Sequence, residues 1–330
     1  MIPKGRFKKI LPSIFYVEIS LGCNLSCSEC ALGTDLIDRK KGHMSLETYK
    51  KIADKLRPYA KRVYVYIWGE PTLNKDLIEM IKYTKEFAEV GISSNGNLID
   101  ADMAEKIIAA GTDDIRIAID GTTQEVYEKL RVGGSLEKAF DSLRHLVHFR
   151  DKYESNAKIV GQFIVFKHNQ DQIEDFEAKC KEIGAESALI TPIFVSNNLE
   201  ESSLPEFKRV RCDNLTSVHN AIKDCELRHR LVIFSDGTVG PCCFDYNAKG
   251  RMGNILNQEV LTIWNSKRCR DFRWNIMNGG VPDFCLKECL RFIKGDGIKK
   301  LVQKKNPKKE SKKRSPKKRN PKKGIQKTQG

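Results

Sequence analysis

The sequence predicts an α/β protein: an open (β/α)6 partial barrel, then a small cysteine-rich α/β unit, then a disordered basic tail. Three observations carry this. Apolar, β-branched runs alternate six times with helical stretches over short connections. That rhythm breaks between Thr191 and about Asp224, and cysteines gather after it. From Lys299 to Gly330 there are fifteen Lys or Arg against one acid, Glu310. A doubly wound sheet carries the same local signal as the partial barrel, and periodicity alone does not separate them.

In chain order, Ile14 to Ile19 reads as a buried strand. Ser45 caps a helix to about Leu56, which Arg57-Pro58 ends. Val63 to Ile67 is the second strand, and Asn74 caps a helix through about Phe87. Gly91 to Ser94 is the third strand and Asp100 starts a helix to Ala110. Ile115 to Ile119 is the fourth, and Ser135 caps a long helix to about Phe149. Ala157 to Phe166, a helix over Gln170 to Ile183, and Glu186 to Ile190 complete the series. Beyond the break, Leu231 to Phe234 and Thr238-Val239 form a hairpin around Asp236-Gly237, a pair that favours this turn. Small helices follow to Trp274. The expected division is 1–200 core, 201–224 linker or lid, 225–298 cysteine-rich unit and 299–330 tail.

The formal net charge of +15 misleads as an average, because the tail holds +14 and residues 1–298 hold +1. The body therefore gains no support as a nucleic-acid binder from its charge. The tail carries Pro among its Lys and lacks aromatic residues, so it reads as a solubilising extension or a nonspecific polyanion binder. No apolar run reaches transmembrane length and no secretory signal precedes Cys23. Eleven cysteines, an odd number, suggest metal sites in a cytoplasmic chain before disulfides.

The chemistry concentrates at Cys23, Cys27 and Cys30, three thiols within eight residues just after the first strand. Three thiolates on one loop suit an iron-sulfur cluster and leave one of four irons open. A zinc knuckle or buried free thiols is the competing reading of the same residues. This loop follows the C-terminal end of the first strand, a position that commonly holds functional loops in α/β folds; Trp68-Gly69-Glu70-Pro71, Asn95-Gly96 and Asp120-Gly121 close the next three strands.

The Cys-x3-Cys-x2-Cys spacing resembles that of the radical S-adenosylmethionine (SAM) enzymes. The resemblance implies a partial TIM barrel and a [4Fe-4S] cluster on Cys23, Cys27 and Cys30, with SAM chelating the open iron. Gly69, Glu70 and Pro71 then match the motif that holds the methionine amino group, with Trp68 where Gly is usual. Ser94 and Asn95 match the ribose-side segment, Arg131 an arginine pairing with the SAM carboxylate, and Gln162 a cofactor contact in the fifth strand. Glu29 stands where an aromatic residue often precedes the third cysteine, and Ala118 where Ser is frequent. The second unit resembles the SPASM/twitch extensions. This implies one auxiliary [4Fe-4S] cluster on Cys225, Cys242, Cys285 and Cys289, with Cys212 and Cys243 as substitute ligands and Cys180 and Cys269 as structural thiols. Asp120 and Asp245 are candidate catalytic acids. The implied function is a radical SAM oxidoreductase or maturase acting on a peptide or small molecule, served by a reductant such as flavodoxin or ferredoxin. The contrasting reading is an iron-sulfur RNA-binding or interaction protein, supported by the tail.

Overall fold

A computed structural model describes residues 11–190, 199–200, 202–204 and 229–277. The linker or lid apart from Ser202, Ser203 and Leu204, together with the tail, Cys212, Cys225, Cys285 and Cys289, lies outside the described residues.

Six parallel strands form the body of one sheet: β1 (Ile14–Val17), β4 (Arg62–Tyr64), β5 (Glu89–Ser94), β6 (Asp114–Ala118), β7 (Lys158–Ile164) and β8 (Glu186–Ile190). They lie side by side in chain order, as sequential strand–helix units dictate. Between β1 and β4 a two-stranded ribbon, β2 (Ser20–Leu21) with β3 (Gly42–His43), brackets the cysteine loop. The helices are α1 (Leu46–Leu56), α2 (Leu77–Lys85), α3 (Ala101–Ala109), α4 (Gln124–Leu130), α5 (Leu136–Lys152) and α6 (Ile173–Ile183). Alternate strand residues such as Val63, Ile115, Ile117 and Phe163 join Ile52, Ile107, Leu143 and Phe176 of the helices in the main apolar core.

Side chains predicted as caps behave as expected at Ser45, Asp100 and Ser135, each accepting from a backbone N–H of its helix's first turn. Asn74 does not. Its Oδ1 accepts from Asp76 N–H at 3.0 Å, one residue short of the helix, and its Nδ2 donates to the Ile19 and Met44 carbonyls at 2.7 and 2.9 Å, tying the segment after β1 to the segment after β3; the helix starts after Asp76. The predicted strands over Ile14–Ile19 and Val63–Ile67 stop early, at Val17 and Tyr64. Their last residues turn into the functional loops instead. Helix α4, at seven residues, has no counterpart in the sequence reading.

The hairpin appears as β9 (Arg230–Ile233) and β10 (Thr238–Gly240), with Gly237 at φ +78° in its turn. It does not stand apart. β9 pairs in parallel with β1, Phe15 opposite Leu231, so β9, β10 and β11 (Gly253–Asn254) extend the same sheet to nine strands. Helices α7 (Val260–Trp264) and α8 (Lys267–Met277) follow, and Ile263, Trp264 and Cys269 join the main core. Among the described residues, no helix is long and apolar enough to cross a membrane.

Candidate active site

Cys23, Cys27 and Cys30 follow the end of β2, on a loop that two other segments hold in place. Ser26 N–H donates to the Val132 carbonyl and Ser28 N–H to the Leu130 carbonyl, each at 3.1 Å. This backbone pairing sets Arg131, just past α4, opposite Cys27. Its Nη1 lies 3.8 Å from Cys27 Sγ. Asn95, at the end of β5, donates from Nδ2 to Asn24 Oδ1 at 2.9 Å and lies 3.8 Å from Cys23 Sγ. Gly33 lets the loop close: a Cβ there would sit 2.4 Å from the Cys27 carbonyl oxygen.

The three cysteines line one cavity of about 200 Å³, with Trp68, Gly69, Glu70, Ser94, Asn95, Arg131 and Gln162 also on its wall. Burial pushes the Cys23 thiol up to about 11. Burial raises Cys27 as well, and the neighbouring Arg131 cation works against that rise. Among the described residues, no three His, Cys, Asp or Glu side chains gather closely enough to hold a single metal ion. The donor set is instead three soft sulfurs spread around a cavity with a guanidinium beside one of them. That donor set fits an iron-sulfur cluster, and the cavity the sulfurs line also reaches Glu70, Asn95 and Arg131.

Glu70 is buried, and four donors converge on its carboxylate. Thr72 N–H, Thr72 Oγ1 and Ser94 Oγ reach Oε1 at 3.1, 2.7 and 2.8 Å, and Asn95 N–H reaches Oε2 at 2.9 Å. Burial raises its pKa and these donors oppose the rise. Glu70 thus welds the β4 and β5 ends together and shapes the wall with its backbone. Gly69 before it sits at φ +83°, where a Cβ would lie 2.6 Å from the Ser20 carbonyl oxygen and 2.7 Å from that of Gly22. Gly69→Ala is expected to lower stability by roughly 1–3 kcal/mol and to disturb the cysteine loop. Urea unfolding together with iron loading of the variant checks this.

Arg131 and Asp120 form a buried ion pair, Nε to Oδ2, with side chains 14% and 0% exposed. Asp120 Oδ1 also accepts from Ile164 N–H at 2.6 Å, and Asn169 Nδ2 donates to the Asp120 carbonyl at 3.0 Å. Burial works against the Arg131 charge, but the Asp120 carboxylate beside it more than offsets this and keeps Arg131 more basic than an ordinary arginine. Both Asp120 oxygens are therefore engaged in holding structure. Gln162, on β7 beside Ala118 and Ala188, reaches the cavity from the far wall.

Asp245 is not on this cavity's wall. It is buried, accepts from Gly250 N–H at 2.7 Å, and organises the turn after Cys242. Cys242 is buried, with its sulfur 4.0 Å from that of Cys243 and 3.8 Å from Arg230 Nη2. Cys180 lies in the main core between α6 and the sheet.

Sequence reasoning passed over Glu18 and Arg39. Glu18 takes both Arg39 Nη atoms at 2.6 and 2.7 Å, the Arg39 guanidinium lies 4.3 Å from the Phe234 ring centroid, and its Nε donates to the Tyr246 carbonyl. This group ties the segment after Cys30 to the turn after Cys242. Asn24 and Gly33 were passed over too, although both lie within a few residues of the cysteines.

The radical SAM superfamily model matches residues 17–195, and a model for an iron-sulfur cluster-binding domain of the SPASM type matches residues 225–290. Among curated proteins, the chain is 33% identical over 172 residues to mycofactocin maturase MftC of Mycobacterium ulcerans. That match covers 51% of this chain and 44% of the relative, less than half of the relative's length. It is 24% identical over 324 residues to the tungsten-containing aldehyde ferredoxin oxidoreductase cofactor-modifying protein of Pyrococcus furiosus, covering 84% of this chain and 89% of that one. Its fold is similar to Streptococcus suis SuiB bound to S-adenosylmethionine, with a TM-score of 0.63 at 14% identity, over 80% of this chain and 68% of SuiB. It is also similar to anSMEcpe with bound AdoMet, TM-score 0.60 at 18% identity, over 86% and 88% of the two chains. The family carries a SAM-binding [4Fe-4S] cluster, and the SPASM type of domain carries auxiliary iron-sulfur. With its triple-cysteine loop at the end of β2 and the family model matched over more than half its length, the chain belongs to the radical SAM superfamily, with a SPASM auxiliary iron-sulfur domain in its C-terminal part.

Proposed function

We propose that this chain is a radical SAM oxidoreductase or maturase that removes a hydrogen atom from a peptide or small-molecule substrate, inside a partial TIM barrel. The single observation that carries the reading is the convergence of Cys23, Cys27 and Cys30 on one cavity whose other walls are Glu70, Asn95, Arg131 and Gln162. When bound, a [4Fe-4S] cluster with SAM supplies one-electron cleavage of the sulfonium to methionine and a 5'-deoxyadenosyl radical.

The protein's own part is to hold, orient and exclude water. Cys23, Cys27 and Cys30 hold the cluster. Gly69, Glu70 and Pro71 present the backbone that receives the methionine amino group, and the four donors on Glu70 keep that edge rigid. Ser94 and Asn95 form the ribose side, and Arg131 supplies a cation for the SAM carboxylate. Gln162 contacts the cofactor from the opposite strand, and Leu32 and Trp68 help to wall the cavity off. Asp120 acts through Arg131 as a positioning residue rather than as an acid or base. Asp245 positions the turn beside Cys242.

Cys225, Cys242, Cys285 and Cys289 hold the auxiliary cluster. The maturase and cofactor-modifying relatives support a substrate that is a peptide or an organic cofactor precursor, and a small flavodoxin or ferredoxin supplies the electron. The basic tail takes up polyanions without sequence preference.

Iron and sulfide analysis after anaerobic reconstitution tests the two-cluster reading. The wild-type chain is expected to hold about eight irons and the Cys23→Ala, Cys27→Ala, Cys30→Ala triple variant about four. About four in the wild type and none in the variant would remove the auxiliary cluster from the account.

A further inference from the structure

Trp68 belongs to both cysteine sites at once. It lines the cavity beside Cys23, Cys27 and Cys30. Its indole Nε1–H donates to the Cys243 carbonyl at 2.8 Å. Its ring meets Tyr246 edge-on, with centroids 6.0 Å apart and planes at 86°. Trp68 and Cys30 pack on one small apolar cluster, Leu21, Ala31, Leu32, Ile37 and Tyr246, separate from the main core. Asn247 fastens the same turn from its other side. Its Nδ2 donates to the Leu36 carbonyl and its Oδ1 accepts from Asp38 N–H, both at 3.0 Å.

We infer that Trp68 is a positioning residue that couples the cofactor cavity to the auxiliary cysteines, so that filling the cavity is felt at Cys242 and Cys243. The inference rests on the reading of Cys242 as an auxiliary-cluster ligand. A ligand in the cavity meets the wall to which Trp68 contributes. The indole's N–H is fixed to the Cys243 carbonyl, one peptide from Cys242. A shift of the ring therefore displaces the backbone next to the ligand thiolate. Coupling of this kind is reciprocal, so the state of the auxiliary site also biases SAM binding. A residue that merely filled space would leave the auxiliary site indifferent to SAM.

Two variants separate the parts. Trp68→Phe keeps an aromatic ring and deletes the N–H. Asn247→Ala loosens the same turn from outside the cavity. Hydrogen exchange on the full chain before cluster loading reads the latch itself. The reporters are the Asp245, Ala248 and Gly250 amides, all hydrogen-bonded within the turn. Trp68→Phe, which loses about one net hydrogen bond, is expected to speed their exchange roughly fivefold, and Asn247→Ala, which loses two, up to about thirtyfold. Unchanged exchange in Trp68→Phe would overturn the latch.

The second arm uses the reconstituted chain and follows the auxiliary cluster by electron paramagnetic resonance and its midpoint potential, with and without SAM. The wild type is expected to show a SAM-dependent change in both, and Trp68→Phe to lose that change while still binding SAM. No response in the wild type, or an equal response in Trp68→Phe, would overturn the coupling. If no auxiliary signal forms at all, the ligand reading of Cys242 fails and the coupling falls with it, while the exchange experiment still decides the latch.

Discussion

Asp120→Ala is expected to destabilise the apoprotein by about 3–5 kcal/mol, because it leaves the Arg131 guanidinium buried without its anion. The same change frees Ile164 N–H and lets Arg131 swing from Cys27, so SAM affinity is expected to fall at least about tenfold, as for a lost charge-assisted contact. Asp120→Asn also leaves Arg131 without its anion but keeps an acceptor for Ile164 N–H, so its loss of stability should be smaller by about the 1 kcal/mol of that one hydrogen bond. Urea unfolding of the apoprotein and SAM titration of the reconstituted chain read the two effects separately. A proton-transfer role for Asp120 makes the opposite forecast. Asp120→Asn would then fold and bind SAM as the wild type does and lose only turnover. The engagement of both carboxylate oxygens is the reason to expect the first pattern.

Arg39→Ala is expected to have an effect of comparable size from a different part of the molecule. Glu18 is fully buried and depends on Arg39 for a two-pronged ion pair, so the variant strands a carboxylate in the interior at a cost of about 3–5 kcal/mol. It also removes the stacking on Phe234 and the contact with the Tyr246 carbonyl, so the turn after Cys242 loses its hold on the cysteine loop. Replacing both partners with apolar residues, Glu18→Leu with Arg39→Met, should recover much of the stability, since no charge is then left unpaired. Unfolding of the single and double variants checks this. Equal losses in both would mean that shape rather than charge governs the contact. Iron retention should follow the single variant's loss of docking, and limited proteolysis near residue 247 would register it.

Much of this was legible in the sequence. Six strands alternate with helices because local amphipathic periodicity records burial, so β1 and β4 to β8 could be placed along the chain, while their side-by-side order in the sheet, which a doubly wound arrangement would have changed, came from the structure. The three cysteines and the Gly69-Glu70-Pro71 edge stood out because their chemistry sits within a few neighbouring residues. What stayed hidden is long-range. Nothing near Glu18 announces Arg39, twenty-one residues on, and nothing near Trp68 announces the carbonyl of Cys243. The pairing of β9 with β1 joins segments more than two hundred residues apart, and their local patterns are indifferent to it. Helix α4 was missed because seven residues give too few turns for a periodic signal, yet it sets Arg131 opposite Cys27. Asn74 read as a cap because Asn before a helical stretch usually is one. Here its Oδ1 accepts from Asp76 N–H in the turn just before the helix, and its Nδ2 holds the Ile19 and Met44 carbonyls.

The central claim is that the loop of Cys23, Cys27 and Cys30 is a radical initiator. Anaerobic incubation of the reconstituted chain with dithionite and SAM, with product detection by mass spectrometry, tests it most directly. The wild type is expected to release 5'-deoxyadenosine and Cys27→Ala to release none above background. A fully iron-loaded wild type that leaves SAM intact, or a Cys27→Ala variant that cleaves it equally well, would contradict the account.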